Sequence, residues 1–335
     1  APAGFAWTRR FDPLVMVGAG WEWKLDPDTG RASCVGVIRR VGSHTARFGQ
    51  GPDGRVYVAF GESWKAAKPV PIYERVAPGQ YKLRTQIEPI ADSLDRRGNP
   101  SRKITGARVW SDVNGDEKQQ PDEVKEHRIE LGMWIANWYM PMTQTMIFYG
   151  GDYRIRPTGW TKCGAPQYDF SQATRLPASK EEAKGRGIGM GVSRSMGSAD
   201  GRIVVYNGRY GKSHSDFVCY EVDSGRKLWS YPNNYVGVHG GHRAPPPQVG
   251  MIRGAYDVVG TGKLADPIGD IFVIGTDKGE WHILTGDGYY LSKLFEGDPM
   301  KMQWPDNPVP GAIMDNVPPG HGTEDFGGSM IVTTD

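Results

Sequence analysis

The chain has 335 residues, enough for one large domain or two ordinary ones, and 40 basic against 38 acidic residues give it a net charge of +2. This well-mixed charge, without a basic stripe, argues against a nucleic-acid-binding protein, and no apolar run approaches the roughly 18 residues that span a bilayer. Glycine (46) and proline (25) are abundant and no helical apolar period is sustained, so a turn-rich all-β protein is expected.

Six short runs rich in β-branched and aromatic residues recur along the chain, most of them after a turn that contains glycine or proline. Such runs are typical of β-strands. We therefore predict six strands, most of them in separate sheets, at 14–20 (LVMVGAG), 55–60 (RVYVAF), 145–151 (TMIFYGG), 202–208 (RIVVYNG), 270–276 (DIFVIGT) and 329–335 (SMIVTTD).

Three further segments, 23–38, 218–231 and 279–295, show a strand, a turn with glycine after Asp, Ser or Thr, and a second strand. This is a hairpin pattern. The last three apolar runs are spaced by roughly 60 to 70 residues, and together with the recurring hairpins this indicates repeated four-stranded units. The prediction is a single β-propeller domain over residues 1–335, with about six to eight four-stranded blades. A β-sandwich or two small β domains is the alternative.

The last run, 329–335, ends where the earlier units form their hairpin turn. A lone terminal strand would leave backbone donors and acceptors unpaired. We therefore expect the ring to be incomplete within this chain. Three explanations remain open: the N-terminal segment pairs with the last strand, another chain pairs with it, or the chain is part of a longer polypeptide.

The segment WSDVNGDEKQQPDE, residues 110–123, has the oxygen-ligand spacing of an EF-hand-type calcium loop, with ligands at positions 1, 3, 5, 7, 9 and 12. We predict a calcium-loop segment at 103–128, inserted between two repeats. The expected ligands are Asp112, Asn114, Asp116, the main-chain carbonyl of Lys118, Gln120 (directly or through water) and Glu123.

Two features separate this loop from a calcium sensor. Glu117 occupies position 6, where glycine normally permits a sharp turn. The preceding residues, KITGARVW, read as a strand, whereas a sensor needs two helices whose angle changes on binding. A loop that rigidifies a connection is therefore expected, and a surface turn with solvated charges is the alternative.

The stretch YEVDSGRKLW (220–229) resembles the PQQ-type repeats of quinoprotein-dehydrogenase-like propellers, and WKLDPDTGR (23–31) is a looser match. The calcium segment resembles the loops of dockerin-like and integrin-propeller repeats. The first resemblance implies the fold. A quinone-dependent enzyme of this kind would also have calcium beside its cofactor, a stacking tryptophan, an aspartate base and, in some members, a vicinal disulfide. The cysteines Cys34, Cys163 and Cys219 contain no adjacent pair.

Two loops near predicted inner strands carry imidazole, guanidinium and carboxylate groups, which bind transition metals or perform acid–base chemistry. The alternative is that these groups satisfy loop backbone and each other. They are His239, His242 and Arg243 in one loop, and His321, Glu324 and Asp325 in the other.

Two remaining patterns have ordinary structural explanations beside their functional ones. The glycine-alternating stretch 185–191 lacks the strand before it and the helix after it that a phosphate-binding loop needs, so it reads as a loop. Trp134, Trp138, Tyr139 and Trp160 are suited to stacking on sugar rings, or to packing in the propeller core.

These observations favour a secreted or periplasmic, calcium-stabilised β-propeller that acts as a binding or assembly module, with a protein or carbohydrate ligand. An extracytoplasmic location is expected because a calcium loop without helices is most useful where calcium is millimolar. The competing hypothesis is a carbohydrate-active or quinoprotein-like enzyme with its site in the central funnel. No complete catalytic constellation is visible.

Overall fold

A computed structural model describes most of the chain. The described residues are 5–7, 15–18, 20–26, 28–38, 45–61, 67–93, 104–131, 134–136, 140–150, 152–177, 195–210, 214–233, 249–252, 254–276 and 280–294. None of the helices among them is long and apolar enough to cross a membrane.

The fold is all-β and of the β-propeller class, as the sequence predicted. The described residues form five blades, fewer than the six to eight expected. The chain divides into two compact units, one of residues 1–26 and 31–176 and the other of residues 27–30 and 177–335. A single domain over 1–335 stays a prediction.

The first unit begins with two antiparallel meanders. The first meander has four strands, β1 (Phe5–Trp7), β2 (Val15–Gly18), β3 (Trp21–Asp26) and β4 (Arg31–Val37). The second has six, β5 (Thr45–Gln50), β6 (Val56–Gly61), β7 (Val70–Ala77), β8 (Gln80–Ala91), β9 (Ile104–Ser111) and β10 (Val124–Leu131).

Two smaller sheets and two short 3₁₀ helices complete the first unit. The sheets are β11 (Phe148–Gly150), β12 (Tyr153–Ile155) and β15 (Thr174–Arg175), and the pair β13 (Pro157–Trp160) and β14 (Pro166–Tyr168). The 3₁₀ helices are Pro121–Glu123 and Phe170–Gln172.

The second unit contains two four-stranded antiparallel meanders. They are β16 (Ser195–Gly197), β17 (Ile203–Tyr210), β18 (His214–Glu221) and β19 (Lys227–Tyr231), then β20 (Ala255–Lys263), β21 (Asp270–Thr276), β22 (Trp281–Thr285) and β23 (Tyr290–Leu294).

The strand predictions are confirmed wherever the structure describes them. The first five runs form β2, β6, β11, β17 and β21, each in a different sheet. The three hairpins are β3–β4, β18–β19 and β22–β23. The sixth run, 329–335, and the prediction about ring closure lie outside the described residues.

Each unit has its own apolar core, built from the inward residues of alternating strands. In the first unit the largest fully buried side chains include Tyr57, Phe148 and Phe170. In the second they include Phe217 and Phe272. The runs that predicted the strands therefore also supply the cores.

In the second unit the outer strand β19 packs on the β22–β23 turn of the neighbouring sheet. Trp229 Nε1 donates to the carbonyl of Gly286 at 2.9 Å, and the Tyr231 hydroxyl donates to the carbonyl of Gly288 at 2.6 Å. Gly288 has a φ of 90°, and a Cβ there would lie 2.6 Å from the Trp229 ring. Glycine is therefore required at this turn for both its backbone conformation and the close packing.

In the first unit a buried ion pair ties β3 to the β7–β8 hairpin. The Arg75 guanidinium donates from Nε and Nη2 to the two carboxylate oxygens of Glu22, at 3.0 and 2.9 Å, and the Tyr81 hydroxyl donates to the same carboxylate. Burial by itself raises the pKa of Glu22, but the Arg75 and Tyr81 hydrogen bonds outweigh it and hold that pKa below its usual value.

Candidate metal-binding loop

The predicted calcium loop is the connection between β9 and β10. The described part of the KITGARVW segment is a strand, as predicted: β9 covers Ile104–Ser111 and pairs with β8 on one side and β10 on the other. The segment expected as an insertion at 103–128 therefore forms, from residue 104 onward, a hairpin that extends the β5–β8 meander. The loop begins after one strand and ends in the 3₁₀ turn that precedes the next.

The backbone of the loop turns sharply at positions 4 and 6. Gly115 has a φ of 85° and Glu117 a φ of 61°. The left-handed conformation costs a residue with a Cβ roughly 1–2 kcal/mol. At Glu117 the side chain offsets part of this cost, because its Oε2 accepts from the Leu83 backbone N–H at 3.1 Å, beyond the last β8–β9 pair, Thr85 with Ser111.

Position 1 is the most constrained ligand position. Asp112 is fully buried; its Oδ1 accepts from the Gly115 N–H at 2.7 Å and its Oδ2 from Arg84 Nη1 at 2.8 Å. Its own N–H donates to the Arg84 carbonyl at 2.8 Å. Its carbonyl accepts from Thr161 Oγ1 at 2.8 Å and from Cys163 Sγ at 2.9 Å. Both the side chain and the backbone of Asp112 are therefore fixed.

Positions 3 and 5 stabilise the turn through their side-chain oxygens. Asn114 Oδ1 accepts from the Asp116 N–H at 2.9 Å. Asp116 accepts from the Lys118 N–H at 2.8 Å through Oδ1 and from Gln120 Nε2 at 2.8 Å through Oδ2. The Lys118 N–H, helped by Gln120, holds the pKa of Asp116 below its usual value. Asp116 is therefore kept in its charged form.

Position 12 closes the loop. Glu123 is buried; its Oε1 accepts from the Val113 N–H at 2.8 Å and its Oε2 from Trp110 Nε1 at 2.7 Å. Trp110 is the last but one residue of β9, and Glu123 immediately precedes β10. The carboxylate therefore connects the two ends of the hairpin.

Position 9 holds an acceptor that nothing satisfies. The Gln120 amide nitrogen is anchored on Asp116, and its carbonyl oxygen, Oε1, is buried and faces the Glu123 N–H in a capping-box arrangement. That N–H already donates to the Gln120 main-chain carbonyl at 3.1 Å, so Oε1 has no hydrogen bond of normal geometry. Buried polar atoms are nearly always paired, and those that are not commonly mark the place of a water or an ion. The unsatisfied atom is at a position where the sequence predicted a ligand.

A buried charge network supports the loop from behind. Arg84 bridges two carboxylates, donating from Nε to Glu74 Oε2 at 2.7 Å and from Nη1 to Asp112 at 2.8 Å. Arg55 lies 3.7 Å from the other Glu74 oxygen. Burial by itself lowers the pKa of Arg84, but its bonds to Glu74 and Asp112 outweigh this and raise that pKa. Arg84 therefore remains a cation.

The oxygen chemistry of the loop fits calcium, since all the predicted donors are carboxylate, amide or carbonyl oxygens. The carboxylates do not converge, however: in the described part of the chain no group of three or more His, Cys, Asp or Glu side chains is arranged to hold a metal ion. Asp112, Asp116 and Glu123 are each held instead by N–H donors of the loop and its strands. A bound calcium ion would have to draw these three carboxylates together.

The other predicted site residues do not join this site. His239, His242, Arg243, His321, Glu324 and Asp325 lie outside the described residues, as do Trp138, Tyr139 and the stretch 185–191.

Of the four aromatic residues considered for sugar stacking, the two that the structure describes belong to the core of the first unit. Trp134 is buried and its Nε1 donates to the Lys68 carbonyl at 2.7 Å. Trp160 is half-buried, with its ring centroid 5.2 Å from that of Tyr57. The packing interpretation therefore holds for both.

Sequence reasoning missed the residues that hold the loop from outside it: Arg84, Glu74 and Trp110. Arg84 is the extra residue of a β-bulge in β8, where Leu83 and Thr85 pair with successive residues of β7. Bulges redirect side chains, and strand alternation gives no sign of them. Of these three residues, only Trp110 adjoins the loop in sequence, so only Trp110 could have been identified from the local sequence.

No protein-family model matches the sequence, and no curated protein sequence matches it. Three solved structures illustrate its structural likenesses. They are Hsv2 of Kluyveromyces lactis (10% identity, 85% of this chain and 74% of that chain, TM-score 0.38), BamB from Moraxella catarrhalis (13%, 84% and 73%, 0.32) and the periplasmic gluconolactonase PpgL of Pseudomonas aeruginosa (10%, 87% and 85%, 0.39). Likeness at these TM-scores says nothing about function.

Proposed function

We propose that the protein is an extracytoplasmic β-propeller module whose loop at 112–123 binds one calcium ion that stabilises the β9–β10 hairpin. The observation that carries this proposal is the buried, unpartnered Oε1 of Gln120, at position 9 of the ligand pattern. The other ligands are the predicted ones: Asp112, Asn114, Asp116, the Lys118 carbonyl and Glu123.

The Gln120 oxygen is a costly atom to leave unpaired. A buried acceptor without a partner loses about 1–3 kcal/mol of desolvation free energy. Turning the amide over would not help, because its oxygen would then face Asp116 Oδ2 and the donated hydrogen bond would become a contact between two acceptors. A cation bound beside Oε1 would compensate the lost hydration and would attract the neighbouring carboxylate of Asp116.

When bound, calcium would supply a double positive charge that draws the loop oxygens together. The chain's own residues determine what this does to the fold. Asp112 is anchored on β8 through Arg84, and Glu123 is anchored on β9 through Trp110. Ligation by both carboxylates would therefore cross-link the end of the sheet. Without flanking helices to rotate, the effect is structural rather than that of a sensor.

The stabilisation depends on concentration. Loops of this kind in extracellular modules bind with dissociation constants of about 10⁻⁴ to 10⁻³ M. Calcium at one to ten times its dissociation constant adds roughly 0.4 to 1.4 kcal/mol to the free energy of unfolding. Millimolar calcium is thus needed for the site to matter, which is why we place the protein outside the cytoplasm.

We also propose that the protein acts as a binding or assembly module with a protein or carbohydrate ligand. The Tyr220–Trp229 segment that resembles a PQQ-type repeat forms the β18–β19 hairpin and packs on the next sheet through Trp229. This supports a repeat that builds the fold. The enzyme alternative depends on funnel residues outside the described part of the chain, and no described residue favours it.

Terbium luminescence offers a direct test, because Trp110 touches a predicted ligand. Excitation of Trp110 should sensitise terbium bound in the loop, and calcium should displace it competitively. Gln120→Met and Glu123→Gln should weaken calcium binding about tenfold or more in isothermal titration. Asp122→Asn, an exposed acid between ligand positions, is the control and should leave affinity nearly unchanged.

Two results would contradict the proposal. One is the absence of calcium-dependent heat in the wild type at millimolar calcium. The other is equal binding by Glu123→Gln, Gln120→Met and the Asp122→Asn control, which would place the ion elsewhere.

A further inference from the structure

We propose that Arg84, a residue outside the loop, sets its calcium affinity by acting as a resident counter-charge to Asp112. This rests on the proposed function, since it concerns the same site. Arg84 is a positioning residue: it holds a ligand and does not touch the ion. Its pairing keeps the hairpin folded without calcium and keeps affinity in the range filled only at millimolar concentration.

The first step of the argument is the burial of the pair. Asp112 has no exposed side-chain surface and the Arg84 side chain is 7% exposed. A buried carboxylate requires a nearby compensating charge. Within the described residues, the Arg84 guanidinium is the only cationic group bonded to Asp112. It therefore supplies, in the absence of an ion, the positive charge that the loop needs.

The second step is geometry. The bulge in β8 points Arg84 at the loop, and the Arg84 carbonyl also accepts the Asp112 N–H. The Arg84 guanidinium donates to Oδ2 of the Asp112 carboxylate. The other oxygen, Oδ1, accepts only from the Gly115 N–H and therefore retains a lone pair. Asp112 is thus held in one orientation with a single oxygen available to the loop.

The third step is the sign of the charge. Glu74 pairs with Arg84 from the other side and lies 3.7 Å from Arg55, whose side chain is 37% exposed. Arg84 is therefore the buried cation that Asp112 and Glu74 share. Removing Arg84 makes the site more negative, whereas removing the Glu74 charge makes it less negative. Since these carboxylates are buried, such changes are weakly screened. The two substitutions should therefore shift calcium affinity in opposite directions.

Arg84→Met, Arg84→Lys and Glu74→Gln are compared with wild type by calcium titration, with folding checked by circular dichroism. Arg84→Met should tighten binding by roughly three- to tenfold and Glu74→Gln should weaken it by a similar factor. Arg84→Lys, which keeps the charge, should stay within about twofold. Arg226→Met, an exposed arginine of the other unit, is the control for net charge and should change nothing.

A purely structural role would give a different pattern. Arg84→Met and Glu74→Gln would then both weaken binding, or both leave it unchanged, and either result overturns the proposal while the wild type still binds. If Arg84→Met does not fold, Glu74→Gln and Arg84→Lys decide: Glu74→Gln should weaken binding while Arg84→Lys stays within about twofold of wild type. Equal loss in both overturns the proposal. A wild type that binds no ion overturns the proposed function itself, a distinct result.

Discussion

Arg75, which is partly buried, and Arg84, which is buried, belong to the same unit and have different partners. Arg75 meets Glu22 with two parallel hydrogen bonds, and Tyr81 completes the same carboxylate. Arg84 divides its guanidinium between Glu74 and Asp112. The first cluster joins two sheets. The second supports a loop that contains an unsatisfied oxygen.

The difference shows how a structural ion pair is distinguished from a functional one. A cluster that holds a fold together has its acceptors satisfied, because unpaired buried groups are costly. If the Arg84 cluster supports a calcium site, as we propose, an acceptor should remain free beside it, and the loop contains such an atom in Gln120 Oε1. Stability measurements with and without calcium should separate the two clusters.

The largest expected effect is at the cluster of Glu22, Arg75 and Tyr81. Glu22→Gln leaves the buried Arg75 charge uncompensated, and breaking a buried pair in this way costs about 3–5 kcal/mol. For a unit of this size the melting temperature should fall by roughly 10 °C. The fall should be the same in calcium and in chelator when measured by calorimetry. A calcium-dependent difference would contradict the separation of the two clusters.

Arg84→Met should be nearly as severe in chelator, about 3 kcal/mol, because Asp112 loses its counter-charge. Calcium should restore part of this loss, since the ion becomes the remaining counter-charge of the carboxylate. Urea denaturation in chelator and in millimolar calcium measures both values. Equal destabilisation in the two conditions would mean that Arg84 acts on the sheet alone.

Acid should destabilise the cluster of Glu22, Arg75 and Tyr81, because it protonates Glu22. The folded pKa of Glu22 is lower than its ordinary value of 4.5, so the unfolded chain takes up the proton first as pH falls. The stabilisation by Glu22 is therefore complete above about pH 4.5 and is lost as pH falls through the folded pKa. Wild type should lose stability in this window more steeply than Glu22→Gln. Parallel pH profiles of the urea midpoints would contradict this.

The smallest effect is expected at position 6 of the loop. Glu117→Gly removes the cost of the left-handed conformation, about 1 kcal/mol, and also a hydrogen bond to Leu83 of similar value. The melting temperature should change by less than about 3 °C. Glu117→Ala loses the bond and keeps the strain, so it should be the less stable of the two. The reverse order would show that the left-handed conformation at position 6 carries no cost for a residue with a Cβ.

The sequence by itself determined the local features of this protein. Strand positions follow from β-branched runs, hairpins from Gly-containing turns, and the ligand pattern of the loop from the spacing of Asp112 to Glu123. All of these depend on residues close together in the chain, so their physical causes can be read from short segments. It also predicted the β-propeller class, which the structure confirms.

Only the tertiary structure shows which residues outside the loop support it. Arg84 and Asp112 are 28 residues apart, and a bulge determines where Arg84 points. The unsatisfied atom, Gln120 Oε1, is identified by its burial in the folded loop, which the sequence does not reveal. Burial and long-range pairing are properties of the packed sheets rather than of any segment. For this reason the sequence suggested the candidate ligands of the loop but not the buried charge network behind it.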